Sequence, residues 1–193
     1  MSEKTKEEKV LSNVKKEVWE WLAALVIGII IVALVKVFLV TNYEVVGQSM
    51  MPTLNDKDKV IVSKMAEVKR MDIVIFHGDQ QEDYVKRVIG LPGDTITYEN
   101  DELFINNKKV KEPYLQSYSA FNNPNENFTG DFELEELTGS QRVPSGKLFV
   151  LGDNRISSMD SRYFYFVDSE EIVGTVKARY WPISQATTQF YSE

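Results

Sequence analysis

The sequence contains no cysteine and a single histidine, His77. The absence of cysteine excludes a cysteine nucleophile, a set of disulfides and any zinc site built from thiolates. One histidine excludes a metal site with two histidine ligands in the chain, which disfavours catalysis by a metal ion. We therefore predict that the protein uses neither a metal nor a cofactor.

Positive charge is also in short supply. The 193 residues carry 22 Lys and Arg against 29 Asp and Glu, for a formal net charge of −7. A nucleic-acid-binding surface needs clustered lysine and arginine, so we predict no nucleic-acid partner. Hydrophobic residues make up 43% of the chain, which is enough for a packed core and excludes wholesale disorder.

One long apolar run lies near the N-terminus, from Trp21 to Val40. Twenty helical residues span about 30 Å, the thickness of a bilayer's hydrocarbon core. The run is too long for the apolar part of a cleavable signal peptide, and no small-x-small site follows it. A buried core helix is the remaining alternative. Five lysines precede the run, which favours a cytoplasmic N-terminus. We predict a cytoplasmic segment over 1–18, a membrane anchor over 19–42 and an extracytoplasmic domain over 43–193.

The rest of the chain shows little helical periodicity and many short runs typical of β-strands. Punctuated turns are predicted at 90–94 and at 106–108, where asparagine tolerates positive φ. Residues 112–142 are polar and acidic, and we interpret them as a solvated insertion between two β blocks. The fold class is predicted to be mainly β, with antiparallel sheets. The predicted strands are Val60–Val62, Asp72–Phe76, Tyr84–Ile89, Thr95–Tyr98, Glu102–Ile105, Leu148–Leu151 and Gly174–Trp181.

Ser49 lies just after the apolar run, between Gly47 and Pro52, and a serine hydroxyl needs a base before it can act as a nucleophile. The only imidazole is His77, at the end of a predicted strand, where it is also typical of an exposed loop. Lys86 is the other candidate, because strand alternation places it on one face with Tyr84 and Val88. Burial there lowers a lysine pKa and yields a neutral amine that can accept a proton. An ordinary strand lysine is the alternative.

A dense polar loop follows the strand at 148–151. It contains Asp153, Arg155, Asp160 and Arg162, which together can form a buried ion network. Such networks hold catalytic groups in place. Taken alone, such a loop is more often a structural turn.

Five segments resemble the motifs of type I signal peptidases, in the family's order and spacing. They are Ser49–Leu54, Asp58–Val60, Asp72–Val74, Tyr84–Asp94 and Gly152–Arg162. The single N-terminal span and short body are similar to the Gram-positive type. The resemblance implies a membrane-bound Ser/Lys endopeptidase with a largely β catalytic domain. It also implies these roles: Ser49 as nucleophile, Lys86 as general base, Ser158 orienting the lysine amine, and Asp160, Arg162 and Arg87 as supporting ion pairs.

In the family the substrate binds as an added β-strand, with small residues at positions −1 and −3 from the cleaved bond. The resemblance therefore implies substrate contacts from Val45 and Met50 beside the nucleophile, and from Tyr84 and Val85 on the strand of the base. Gly47 stands where some members have a serine that contributes to the oxyanion hole. Here the hole would depend on backbone N–H groups, mainly that of Ser49.

The sequence therefore predicts an endopeptidase that removes signal peptides from secreted preproteins at the membrane. Its partners would be those preproteins and the lipid bilayer, while its oligomeric state and preferred substrates stay open. One alternative is a Ser/Lys protease of related fold, such as the self-cleaving repressor type. A second is a membrane-anchored scaffold without catalytic activity.

Overall fold

The computed structural model describes the backbone of residues 2–78, 82–115 and 128–190, and the side chains within these ranges from residue 15 onward except 36 and 37. The chain divides into two compact units, Met1–Val40 and Thr41–Glu193.

The first unit is one long helix, α1, over Ser2–Phe38. Its sequence contains no proline and only one glycine, Gly28, so nothing interrupts the helical hydrogen bonds. Its segment Lys15–Val35 is long and apolar enough to cross a membrane, and none of this segment is buried against other residues. By length and composition this segment is a candidate membrane anchor.

The second unit is built from antiparallel β-sheets, which confirms the predicted fold class. One sheet has seven strands in the order β1-β2-β11-β3-β4-β9-β10, and the other has four in the order β7-β6-β5-β8. The strands are β1 Val40–Glu44, β2 Lys59–Ser63, β3 Ile73–His77, β4 Asp83–Gly90, β5 Ile96–Glu99, β6 Glu102–Ile105, β7 Lys108–Val110, β8 Phe132–Glu133, β9 Lys147–Leu151, β10 Val167–Asp168 and β11 Ile172–Trp181. There are also two short helices among the described residues. Helix α2, Leu134–Thr138, follows β8, and helix α3, Ser161–Phe164, precedes β10.

All seven predicted strands are present, shifted by at most two residues at either end. β1 was not predicted, because it begins at Val40 within the apolar run assigned to the anchor. β7, β8 and β10 are only two or three residues long, too short to show alternation.

The two predicted turns are also present. Asn106 and Asn107 have φ of +51° and +61° between β6 and β7, as the asparagine pair indicated. In the turn after β4, Gly93 has φ of +89°. The carboxylate of Asp94 closes that turn by accepting the N–H of Leu91 at 2.7 Å.

The predicted insertion 112–142 is described over 112–115 and 128–142, where most residues are at least partly exposed but Thr129 and Leu134 are buried. β8 pairs with β5 through Tyr98 and Phe132, and the side chain of Leu134 is 1% exposed. The polar composition concealed these contacts because single apolar residues, spaced along a charged stretch, provide the packing. Residues 116–127 of the insertion lie outside the described residues.

Candidate active site

Ser49 is held in a loop that is fixed at both ends. Val45 exchanges backbone hydrogen bonds with the 57–58 segment, and the N–H of Gly47 donates to the carboxylate of Asp56 at 2.8 Å. Gly47 has φ of +86°, a conformation that favours glycine. The side chain of Met50 is fully buried in the core below.

The burial of Met50 corrects one predicted substrate contact. Its side chain packs with Leu54 and the apolar residues of β2, and it does not line the groove beside Ser49. Apolar residues on either side of a nucleophile need not touch substrate, because the same residues anchor the loop. Turning Met50 inward leaves the neighbouring Ser49 half-exposed.

Lys86 lies on β4 and reaches Ser49 directly. Its Nζ donates to the Oγ of Ser49 at 2.9 Å and to the carbonyl of Val85 at 3.0 Å. Its side chain is 3% exposed, and it lies 5.6 Å from the centroid of the Tyr84 ring on the same strand face. Burial lowers the pKa of Lys86 from 10.5 to about 8, against the opposing effect of Asp160 and Asp153. A large fraction of a lysine with such a pKa is neutral in mildly alkaline solution.

His77 makes a different contact. Its Nδ1 lies 2.7 Å from a carboxylate oxygen of Asp83, and its side chain is 67% exposed. The hydroxyl of Ser49 is paired with Lys86, so a Ser-His-Asp triad does not assemble around it.

Two ion pairs lie behind the dyad. Arg87 forms a bidentate pair with Asp153, through Nε at 2.8 Å and a terminal nitrogen at 2.6 Å, and both side chains are fully buried. Arg162 forms a second bidentate pair with Asp160, at 2.9 Å for both bonds. Asp160 also accepts the N–H of Gly152 at 3.0 Å, which ties this pair to the polar loop. The three residues predicted as supporting ion pairs thus all form ion pairs, Arg162 with Asp160 and Arg87 with Asp153.

Arg155 joins the two sheets, a contact that the sequence did not reveal. It donates to Glu112 at 2.6 Å, to the carbonyl of Gly152 at 2.9 Å and to the hydroxyl of Tyr98. Tyr98 in turn donates to Glu112. Glu112 comes from the stretch interpreted as solvated, so nothing in its sequence context indicated a buried partner.

Ser158, which was predicted to orient the lysine amine, makes no hydrogen bond to Lys86 in the described structure. Its Oγ is buried and has no hydrogen-bond partner within the described part of the chain. It lies against Gly152, where a Cβ would be 2.1 Å from this hydroxyl and 2.5 Å from the carbonyl oxygen of Ser49. Glycine at 152 therefore allows the polar loop to approach the nucleophile.

A groove of about 390 Å³ begins at the dyad. One wall is the segment 43–46, which precedes Ser49, and the other is the first half of β4. Of the predicted substrate contacts, Val45, Tyr84 and Val85 line it. β9 pairs with β4 only from Arg87 onward, so residues 83–86 have one strand edge free of sheet pairing in the described structure. At the far end, burial and then a hydrogen bond to Asp83 raise the pKa of Tyr43 to about 12.

Comparison with known proteins shows the family of the chain. Residues 18–181 match the family model described as signal peptidase, peptidase S26. The signal peptidase I of Bacillus caldolyticus is 51% identical over 176 residues, which cover 89% of this chain and 94% of that one. The signal peptidase IB of Staphylococcus aureus (strain COL) is 41% identical over 187 residues, covering 93% and 97%.

A solved structure is similar as well. The crystal structure of a signal peptidase I from Enterococcus faecalis V583 is 45% identical in sequence, with a TM-score of 0.55. It covers 57% of this chain and 97% of that one. The chain therefore belongs to the signal peptidase family, peptidase S26, and is a serine endopeptidase of that family.

Proposed function

We propose that this enzyme cleaves secreted preproteins after small-x-small sites, with Ser49 as the nucleophile and neutral Lys86 as its general base. The observation that carries the proposal is the 2.9 Å hydrogen bond between Lys86 Nζ and Ser49 Oγ at the end of the groove. The burial of the lysine supports it, because a pKa of about 8 makes the neutral amine accessible.

In the first half of the reaction, Lys86 takes the proton of the Ser49 hydroxyl as Oγ attacks the scissile carbonyl. The developing oxyanion accepts a hydrogen bond from the N–H of Ser49. The ammonium of Lys86 then gives its proton to the leaving amine, and the signal peptide stays attached to Ser49 as an ester. The mature protein leaves with the new N-terminus.

In the second half, Lys86 is neutral again and takes a proton from water. The resulting hydroxide attacks the ester, and the proton returns to Ser49 as the signal peptide is released. The contact of Nζ with the carbonyl of Val85, at 3.0 Å, keeps the amine in place throughout both halves.

The substrate binds as a strand along the free edge of β4. The N–H of Val88 donates to the carbonyl of Asp72 at 2.9 Å, and the carbonyl of Val88 accepts the N–H of Met71 at 2.8 Å, so both groups point toward the segment before β3. Because these groups alternate along a strand, Val85 presents its own to the opposite, free edge. Side chains −1 and −3 of a bound strand point to the same face. Val45, Ile75 and Val85 leave limited apolar space there, which suits small residues.

The helix α1 anchors the enzyme in the membrane. Its span Lys15–Val35 has the required length and apolar character, and the lysines that precede it favour a cytoplasmic N-terminus. In this arrangement residues 1–18 are cytoplasmic, 19–42 hold the anchor, and the catalytic domain from 43 onward is extracytoplasmic.

The activity is tested with full-length protein in detergent and a preprotein that carries an Ala-x-Ala site. We expect cleavage after the second alanine, no cleavage by Ser49→Ala or Lys86→Ala, and near-normal cleavage by Lys177→Ala. Lys177 is the matched control because it is also a strand lysine, with a side chain that is 45% exposed. Full activity of Lys86→Ala would exclude the dyad. A folded wild-type protein that does not cleave would favour the scaffold alternative.

Substrate specificity is tested with leucine placed at −1, −2 or −3. Leucine at −1 or −3 should lower kcat/KM by about 10-fold or more, because the side chains at these two positions point into the groove. Leucine at −2 should have little effect, because its side chain points away from the groove. Equal tolerance at all three positions would contradict the strand-addition geometry.

Topology is tested by adding protease outside intact cells. The region 43–193 should be digested together with an exported control protein, and protection of this region alone would contradict the orientation. Detergent-permeabilised cells distinguish true protection from a protease-resistant fold.

A further inference from the structure

The peptide unit between Gln48 and Ser49 has one engaged side and one free side. The carbonyl oxygen of Gln48 accepts from Asn154 Nδ2 at 3.1 Å and from the N–H of Met51 at 3.2 Å. In the described structure the N–H of Ser49 donates to no acceptor. A free N–H beside a nucleophilic hydroxyl is the donor that an oxyanion needs.

The two sides of this unit move together. The Gln48–Ser49 bond is trans, so its planar geometry directs the Gln48 C=O and the Ser49 N–H to opposite sides. Holding the carbonyl oxygen therefore sets the direction of the N–H. Rotation of this plane by tens of degrees would weaken the hydrogen bond to the oxyanion without moving the Ser49 hydroxyl far.

Asn154 is itself held on three sides. Its backbone N–H donates to the carbonyl of Ser49 at 3.0 Å, and its side-chain oxygen accepts the N–H of Ser157 at 3.2 Å. The side-chain oxygen thus faces a donor and the nitrogen faces a carbonyl, which determines the amide orientation. The residue is 4% exposed.

We propose that Asn154 is a positioning residue that aims the Ser49 N–H at the oxyanion of the transition state. The proposal rests on the proposed function of Ser49. The side chain of Asn154 bonds neither Lys86 nor Ser49 in the described structure. Its backbone N–H still bonds the Ser49 carbonyl when the side chain is replaced, so the side chain acts through the Gln48–Ser49 peptide unit. The Met51 bond persists without Asn154, so the expected effect is a fraction of the loss of a whole oxyanion donor, which is about 10²–10³-fold in kcat.

The test compares Asn154→Ala with Asn106→Ala in full-length protein in detergent. Asn106 is the matched control, because its side chain also donates one hydrogen bond and accepts one, but to residues other than those around Ser49. Its Nδ2 donates to Asp94 at 2.7 Å, and its oxygen accepts the N–H of Thr95 at 3.1 Å. We expect Asn154→Ala to lower kcat about 10-fold with KM and the pH profile unchanged, and Asn106→Ala to leave kcat unchanged.

A second measurement separates aiming from general disruption. A peptide aldehyde ending in alanine adds to the Ser49 hydroxyl and places an oxygen at the oxyanion position, whereas the corresponding peptide alcohol does not react. Asn154→Ala should lose aldehyde affinity by the same factor as kcat/KM and keep its alcohol affinity. Asn154→Asp, which keeps the oxygen that accepts from Ser157, should lose at least as much, because the donor to Gln48 is gone.

Each outcome is decisive. A kcat of Asn154→Ala within 3-fold of the wild type, equal losses of aldehyde and alcohol affinity, or a displaced pH profile would overturn the proposal. If Asn154→Ala does not fold, Asn154→Asp supplies the same comparison. Wild-type protein that fails to cleave at all, under conditions where it is folded, would instead refute the proposed function on which this inference rests.

Discussion

Replacement of Lys86 by methionine should abolish cleavage and yet stabilise the fold at neutral pH. Methionine has a similar length and no charge, so it fills the same space between β4 and Ser49. The lysine is 3% exposed, and burial lowers its pKa from 10.5 to about 8. Below pH 8 the folded protein therefore carries a buried ammonium that would be more stable in water.

The size of this penalty follows from the two pKa values. Each pKa unit is about 1.4 kcal/mol, so the folded state loses about 3 kcal/mol by keeping Lys86 charged. Methionine removes that cost but also removes the two hydrogen bonds of Nζ, worth about 1 kcal/mol each. The variant should be more stable than the wild type by about 1 kcal/mol at pH 7.

The difference should reverse with pH. Because the folded pKa is depressed, the unfolded chain binds more protons between pH 8 and pH 10.5, and wild-type stability rises across this window. Once the lysine is neutral in both states the penalty is gone. The wild type should then exceed Lys86→Met by about 2 kcal/mol, since only the hydrogen bonds still separate them.

The assay is urea unfolding of full-length protein in non-ionic detergent, followed by near-ultraviolet circular dichroism at pH 7, 8, 9 and 10.5. Lys177→Met is the control, because Lys177 is an exposed lysine on β11, and its curve should follow that of the wild type at every pH. A Lys86→Met protein that is less stable than wild type at pH 7, or a difference independent of pH, would refute the account of a desolvated lysine.

Three further predictions concern the groups around the dyad. Gly152→Ala should abolish cleavage and lower the melting temperature, because a Cβ would lie 2.5 Å from the nucleophile's carbonyl oxygen. Arg155→Ala should destabilise the fold by about 3–5 kcal/mol in urea titrations, because it leaves the buried carboxylate of Glu112 unpaired. Asp160→Asn should move the acidic limb of the kcat/KM–pH profile to lower pH, because Asp160 holds the pKa of Lys86 up.

Each of these has a control and a contradictory result. Gly28→Ala, in the helix, meets no atom within 4 Å and should be tolerated, and an active Gly152→Ala would contradict the packing at the nucleophile. Glu112→Gln with Arg155 intact should lower the free energy of unfolding by less than Arg155→Ala does, because glutamine still accepts a hydrogen bond. A larger loss for Glu112→Gln would argue against an unpaired carboxylate as the cause. If the kcat/KM–pH profile of Asp160→Asn moved to higher pH, this would contradict the prediction that Asp160 raises the pKa of Lys86.

The strands were largely predictable because their information is local. Alternation over four or more residues and glycine or asparagine at turns indicated β2 through β6, β9 and β11. β8 was missed because only two residues pair with β5, and their pairing is a long-range event. The polar stretch that contains β8 was taken as solvated, since composition does not reveal that Leu134 enters the core.

The site was predictable in its reacting groups and much less so in its supports. Ser49 and Lys86 stand out because they lie in segments that resemble the motifs of type I signal peptidases, whereas strand alternation alone left an ordinary strand lysine open. The contributions of Glu112 and Asn154 are not visible locally, because each acts on a distant partner: Glu112 pairs with Arg155, 43 residues away, and Asn154 holds the backbone at Gln48, 106 residues away.

By itself the sequence determined the long apolar helix, the β class of the body and the presence of a serine and a lysine suited to peptide cleavage. These depend on composition, periodicity and short motifs, which neighbouring residues encode. The tertiary structure alone decided that Lys86 lies 2.9 Å from Ser49 and is buried enough to lower its pKa to about 8. It also decided that Met50 faces the core. Distance, desolvation and the direction of a side chain arise only when β4, the nucleophile loop and the polar loop pack together.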